Sequence, residues 1–195
     1  MSKGVIGCGV IAVIALILLA TGVGSYNRLV QLEEGVDNAW SQVENVYQRR
    51  ADLIPNLVAA VKGAKEFEQE TLTRVVEARA KVGQVNFETA PNTEQLQQFE
   101  AAQTQLSSAL SRLLVVVERY PELKATEAFR DLQAQLEGTE NRISVERKRF
   151  NDATLDYNKT RRQFPTILLA NIMGFGDKPY FESTPGADEP PKVEF

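Results

Sequence analysis

Two short stretches gather the side chains best suited to chemistry: Arg49, Arg50, Asp52 and Asn56 in one, and Glu140, Asn141 and Arg142 in the other. Carboxylates beside guanidinium groups would suit hydrolysis. No nucleophile–base pair or metal-ligand spacing accompanies them, and the chain has no histidine, which removes the commonest general base and metal ligand together. Its single cysteine, Cys8, excludes a disulfide within one chain and a cysteine metal site. The same residues also read as structure. Arg50 falls on an apolar seam, where a charge must be paired, and Glu118, Glu137 and Glu140 are the available carboxylates. A register-fixing ion pair is the simpler reading, and with it a chain that is not an enzyme and needs no cofactor.

The segments that would position these residues start with an anchor. From Gly4 to Gly24 there is no charge and almost no polar residue. That length makes about 31 Å of helix, enough for a hydrocarbon core of about 30 Å. A cleaved signal peptide is the alternative, with Lys3 as its basic flank and Ala20-Thr21-Gly22 as a small-residue site. The anchor reading fits better because helical sequence follows without a break. Small residues recur every fourth place at Gly4, Cys8, Ala12, Ala20 and Gly24, with Leu16 interrupting, a stripe that suits self-association of the anchor.

Beyond the anchor, apolar residues keep heptad spacing through Leu29, Leu32, Val36, Ala39, Val43, Val46, Leu53, Leu57, Ala60, Ala64 and Phe67. Trp40, Tyr47, Ile54 and Val61 widen this seam into the face of a bundle helix, so the two aromatics read as core. Pro55 sits inside the run without shifting its register and predicts a kink. The first helix should end near 66–70. A second is expected over about 71–85, with Leu72, Val75, Val76 and Val82 on its stripe and Arg79 interrupting it. Asn86, Pro91 and Asn92 break the chain, and Asn92 with Gln95 resembles a capping box before a third helix bearing Leu96, Phe99, Leu106, Leu110, Leu113, Leu114 and Val117. Tyr120-Pro121 ends it. A fourth helix from Glu122 or Thr126 to Phe164 carries Phe129, Leu132, Leu136, Ile143, Phe150, Ala153, Tyr157 and Phe164. The fold predicted is all-α: a transmembrane helix (1–25) continuing into an antiparallel up-down four-helix bundle (26–164) with long, coiled-coil-like first and fourth helices. A short apolar C-terminal segment (165–182) and a disordered tail (183–195), rich in proline and charge, complete it.

Four antiparallel segments would return the chain to the membrane. There stand Lys159, Arg161 and Arg162, followed by Leu168, Leu169 and Ile172. Cations before an apolar face suit an interfacial helix on anionic lipid, and equally a flap packed on the bundle. The basic run Arg147-Lys148-Arg149 reads as a solvated helix face, with a lipid or nucleic-acid contact as the alternative. The net charge of −4 gives no long-range attraction to nucleic acid, so none is expected as a partner.

The stretch YNRLVQLEEGVDNAWSQVENVYQRRADLIPNL from Tyr26 to Leu57 strongly resembles the LemA family, as do LVVVERYPELKA at 114–125, ENRISVERKRFND at 140–152 and the GF and YFE elements of 174–182. The resemblance covers nearly the whole chain. It implies a bacterial, single-pass inner-membrane protein with a helical-bundle domain, and it carries over no catalytic residue. What transfers are Trp40, Gln48, Arg49, Arg50, Asp52, Pro55, Asn141 and Arg142 as structural or partner-contact positions. The expected role is a non-enzymatic scaffold at the cell envelope, a homo-oligomer or a binder of a protein partner in contact with membrane lipid; a lipid-binding membrane-integrity factor is the alternative. Lys3 before the anchor, against Arg28 among Glu33, Glu34 and Asp37 after it, leans slightly toward an extracytoplasmic domain.

Overall fold

Helix α1 runs from Lys3 to Lys62 without a break in the computed structural model, which describes residues 3–63, 67–85, 87 and 89–182. Side-chain surroundings are described from Ile11 onward, Leu18 excepted; the side chains of Gly4 and Cys8, together with Ala64, Asn86 and the tail 183–195, lie outside the described residues. The other helices are α2 (Gln69–Val82), α3 (Thr93–Val117), the single turn α4 (Pro121–Lys124), α5 (Glu127–Arg161) and α6 (Thr166–Met173). No strand occurs among the described residues.

The two ends of α1 are solvated differently. Its N-terminal part is long and apolar enough to cross a membrane, with a mean hydropathy of 1.6, and it is almost unburied: Ile11, Leu16 and Leu19 are each about two-thirds exposed. From Leu29 the same helix enters the core. Leu29, Val36, Val43, Arg50 and Leu57, one row of the predicted seam, are buried. The second row is Trp40, Tyr47, Ile54 and Val61, also buried, whereas Leu32, Ala39, Val46 and Leu53, predicted for that place, are only partly covered. A helix packed on more than one neighbour buries a broad stripe close to its natural 3.6-residue period, so the inner row moves one residue from the narrow two-stranded seam.

Helix α1 stops at Lys62-Gly63, earlier than the apolar pattern suggests, glycine being a common terminator there. On α2, Leu72, Val75, Ala78 and Val82 are buried, while Val76 is half exposed and turns away from the core. Helix α3 opens with the predicted capping box: the Gln95 amide donates to the Asn92 side chain at 3.0 Å and the Asn92 amide to the Gln95 side chain at 2.9 Å. Thr126 caps α5 through its hydroxyl alone, accepting from the Phe129 amide at 3.4 Å. Helix α5 ends at Arg161, so Phe164 leaves the stripe assigned to it and is 81% exposed. The residue before a proline avoids helical backbone, and Pro165 imposes that on Phe164.

Residue numbers rise along α1 while those of its α5 partners fall, with Trp40 against Phe150 and Arg50 against Glu140. Along α3 the partners rise with α1, from Trp40 and Phe99 to Arg50 and Ser107. The core divides into two clusters. One joins Ile54 to Val61 with α2, the later part of α3 and the early part of α5. The other joins Leu29 to Tyr47 with Leu96, Phe99, Ile143, Phe150, Tyr157 and Phe181.

Candidate functional site

Arg50 lies at the boundary of these clusters and is 1% exposed. Its guanidinium donates to Gln103 Oε1 at 2.5 Å and Ser107 Oγ at 3.0 Å, both on α3, and to Glu140 Oε1 at 2.5 Å on α5. The Tyr47 ring lies 5.0 Å away. One side chain of α1 therefore ties three helices together. Of the carboxylates the sequence offered, Glu140 is the partner, and its side chain is 51% exposed. A half-solvated carboxylate is less costly to keep charged than a buried one, so the arrangement neutralises a buried cation and sets helix register.

Pro55 and Arg79, which looked like separate irregularities, share one explanation. Proline has no amide hydrogen, so the Ala51 carbonyl one turn back lacks its helical donor. Ala51 is buried, leaving that oxygen little access to water. Arg79 of α2 reaches across and donates from Nε to the Ala51 carbonyl at 3.0 Å. The vacancy left by the proline is thus a docking point for a second helix.

Trp40 is fully buried at the centre of an aromatic group: Phe99, Phe150 and Phe181 have ring centroids 5.1, 5.7 and 6.2 Å away, and the indole N–H donates to the Phe87 carbonyl at 3.3 Å. The connection between α2 and α3 is fastened to the same face of α1. Glu44 accepts from the Phe87 amide at 3.2 Å and Asp37 from the Ala90 amide at 2.8 Å. Burial pushes the Glu44 carboxyl above its ordinary value, against hydrogen bonds from the Phe87 amide and Trp40 that lower it. Glu100 is raised likewise by burial, with Arg147 opposing.

Phe181 belongs to a strap that periodicity did not predict. Gly174, with φ of 80°, reverses the chain after α6, a left-handed conformation that glycine adopts without strain. The segment from Phe175 to Glu182 then runs back along α5. Asn158 donates to the Lys178 carbonyl and accepts from its amide, and Asn151 does the same for Phe181, all at 2.8–3.0 Å. Just before these clamps on the strap, the Gly176 carbonyl accepts from the Tyr157 hydroxyl at 3.0 Å, and burial pushes that phenol up to about 12. The visible sequence signal was two asparagines seven apart around Tyr157, together with the aromatic pair Tyr180-Phe181.

The remaining predicted residues lie outside this core. Gln48 donates to Asp52 on an exposed face; Arg49, Pro55, Asn141 and Arg142 are exposed, at or within about two turns of the level of Arg50. Each cation of the 147–149 run has a carboxylate within 3.0 Å, namely Glu100, Asp152 and Glu146. Lys159 is exposed, whereas Arg161 and Arg162 share Asp177, at 3.0 and 3.2 Å. Leu168 and Ile172 are exposed and Leu169 is half-buried. Ala12, Ala20 and Gly24 are exposed, and a Cβ added at Gly24 would meet nothing within 4 Å. Among the described residues no group of three or more His, Cys, Asp or Glu side chains is placed to hold a metal ion.

Polar groups lock the helices together, beside an uncovered helix segment long and apolar enough to cross a membrane, which is consistent with a membrane-associated helical protein. Residues 39–195 match the profile of the LemA family, and the chain belongs to that family. It is similar to magnetosome protein MamQ 2 of Paramagnetospirillum magneticum, 27% identical over 201 residues that cover 93% of this chain and 74% of the relative. It is also similar to MamQ of Magnetospirillum gryphiswaldense (25% over 200 residues; 92% and 73% covered) and to protein LemA of Metamycoplasma hominis (22% over 162 residues; 83% and 71% covered). None of these names denotes a reaction.

Proposed function

We propose that this chain is a non-enzymatic scaffold, anchored by one transmembrane helix in the bacterial inner membrane, that self-associates through its anchor and presents its folded part to a protein partner. The observation that carries this reading is the continuity of α1. One helix of 60 residues, about 90 Å long, holds both the uncovered apolar segment and Arg50, the residue that ties α3 and α5 to it. Any contact that orients the anchor then orients the folded part. The side-chain pairs along α1, α2, α3 and α5 support an antiparallel up-down four-helix bundle; the slight excess of positive charge before the anchor favours an extracytoplasmic domain. The exposed belt of Gln48, Arg49, Asp52, Asn141 and Arg142 around the Arg50 level is the surface offered to the partner.

Among the described residues nothing lies within 4 Å of a Cβ added at Gly24, so no packing seen there requires a small residue. A second anchor is the occupant this reading assigns to that stripe. Chemical crosslinking in intact membranes, followed by mass identification, tests it. Defined oligomers or a discrete copurifying protein are expected, weakened by Ala12→Leu together with Ala20→Leu. A uniform monomer with no partner would overturn the proposal.

A further inference from the structure

The apolar surface below the folded part has a place in the fold. Trp40 meets Phe150; eleven residues earlier on α1 is Leu29, and eleven later on α5 is Arg161, so α5 ends level with the first buried residue of α1. Helix α6 follows, and beyond it Phe175 packs edge-on against Tyr26 at 5.8 Å. The connections on either side of α6 are thereby tied to α1 between Tyr26 and Leu29, within about 8 Å of Gly24 along the helix axis. Thr166 and Ala170 of α6 are buried against the protein. Opposite them Ile172 is 81% and Leu168 58% exposed, and at the ends of the segment Phe164 is 81% and Met173 55% exposed. Residues 163–176 contain no charge at all.

We infer that α6, with Phe164, is an in-plane foot that inserts its Leu168–Ile172 face into the lipid interface beside the point where the chain's own anchor emerges. The lipid surface is the occupant because this apolar face continues the apolar segment of α1 at the same level, and Tyr26, 40% exposed, stands between them where amphipathic aromatics prefer to lie. Attraction to anionic headgroups contributes little. Arg161 and Arg162 both pair with Asp177, and Arg161 also donates to the Phe175 carbonyl, so these cations are engaged in bracing the foot against the protein. Insertion is therefore apolar and insensitive to salt, unlike the anionic-lipid contact that the cluster of cations suggested. The foot would fix the tilt of the folded part over the bilayer, giving it two membrane contacts.

The inference rests on the anchor reading, and the test separates the two. The full chain, with Cys8→Ser, carries an environment-sensitive fluorophore at a single cysteine, Ile172→Cys, Leu16→Cys or Val115→Cys, in liposomes containing lipid quenchers both near the headgroups and at mid-acyl depth. Leu16 reports the anchor; Val115, 70% exposed on α3 and remote from α6, reports water. Quenching at Ile172 should exceed that at Val115 about threefold or more, persist at about 1 M salt, and fall to the Val115 level when Leu168→Glu is added, with helicity retained. Quenching at Leu16 but not at Ile172 overturns the foot and leaves the anchor standing; loss at Leu16 as well overturns both. An Ile172 probe shielded from water yet unquenched by lipid would mean a protein contact, and quenching abolished by salt would mean electrostatic adsorption; either refutes the inference.

Discussion

Replacing Pro55 by alanine restores the amide hydrogen that the Ala51 carbonyl lacks, and so changes what Arg79 contributes. An interior proline costs a helix about 3 kcal/mol relative to alanine. Because α1 already continues through Pro55 and Arg79 Nε supplies the missing donor at 3.0 Å, part of that cost is offset. Pro55→Ala should therefore stabilise by about 1–3 kcal/mol. Arg79→Met keeps an apolar stem but removes the donor, stranding a buried carbonyl at about 1–3 kcal/mol. In the Pro55→Ala background that oxygen is already satisfied, so the same change should cost no more than about 0.5 kcal/mol. A double-mutant cycle on the full chain in mild detergent, followed by far-ultraviolet circular dichroism against urea, should give a coupling of about 1–2 kcal/mol. Additivity within about 0.3–0.5 kcal/mol would refute the compensation.

Glu140→Gln leaves the buried Arg50 cation without a counter-charge and should cost about 3–5 kcal/mol, whereas Arg50→Met leaves a half-solvated carboxylate and two unpaired acceptors, Gln103 and Ser107, and should cost about 1–3 kcal/mol; the reverse order in urea titrations would refute this reasoning. Phe181→Ala removes a ring from the Trp40 cluster and should cost about 3–5 kcal/mol, with faster hydrogen exchange at the Phe181 amide that Asn151 otherwise holds. Because burial raises the folded-state pKa of Glu44, the native state binds its proton more tightly than the unfolded chain, and stability falls as pH rises from 4.5 through the raised value; Glu44→Gln should flatten that fall, as urea midpoints across the range will show. Tyr157, one of five tyrosines, should titrate near 12 in ultraviolet difference spectra, with stability lost as pH climbs from 10 toward that value and the late titration absent in Tyr157→Phe.

The features legible in the sequence were those with a local or periodic signature. Arg50 stood out because a charge on an apolar seam must have a partner, and Glu140 was among three candidates. Asn92 with Gln95 announced its capping box, since a cap is a bond between near neighbours, while the start of the last long helix stayed open between Glu122 and Thr126. The placement of the inner row at 40, 47, 54 and 61 instead of 39, 46, 53 and 60 was harder to choose, because periods of 3.5 and 3.6 diverge by only about 20° per heptad. Arg79 looked like a fault in a stripe; its reason lies 28 positions away, in a hydrogen bond that Pro55 leaves unmade. The strap was invisible to periodicity because Asn151 and Asn158 grip backbone atoms, which every residue has. The ion pairs of Arg161 and Arg162 likewise needed Asp177 brought back by Gly174, a reversal that no apolar pattern encodes.

Helix α1 couples the anchor to the folded part as one rod. A flexible glycine–serine insertion between Gly24 and Ser25 tests it most directly, with cysteine crosslinking in membranes read separately at an anchor position, Leu16, and at a domain position, Arg49. With a rigid rod uncoupled in this way, crosslinking at Leu16 persists while the defined pattern at Arg49 is lost. An unchanged pattern at Arg49 would contradict it.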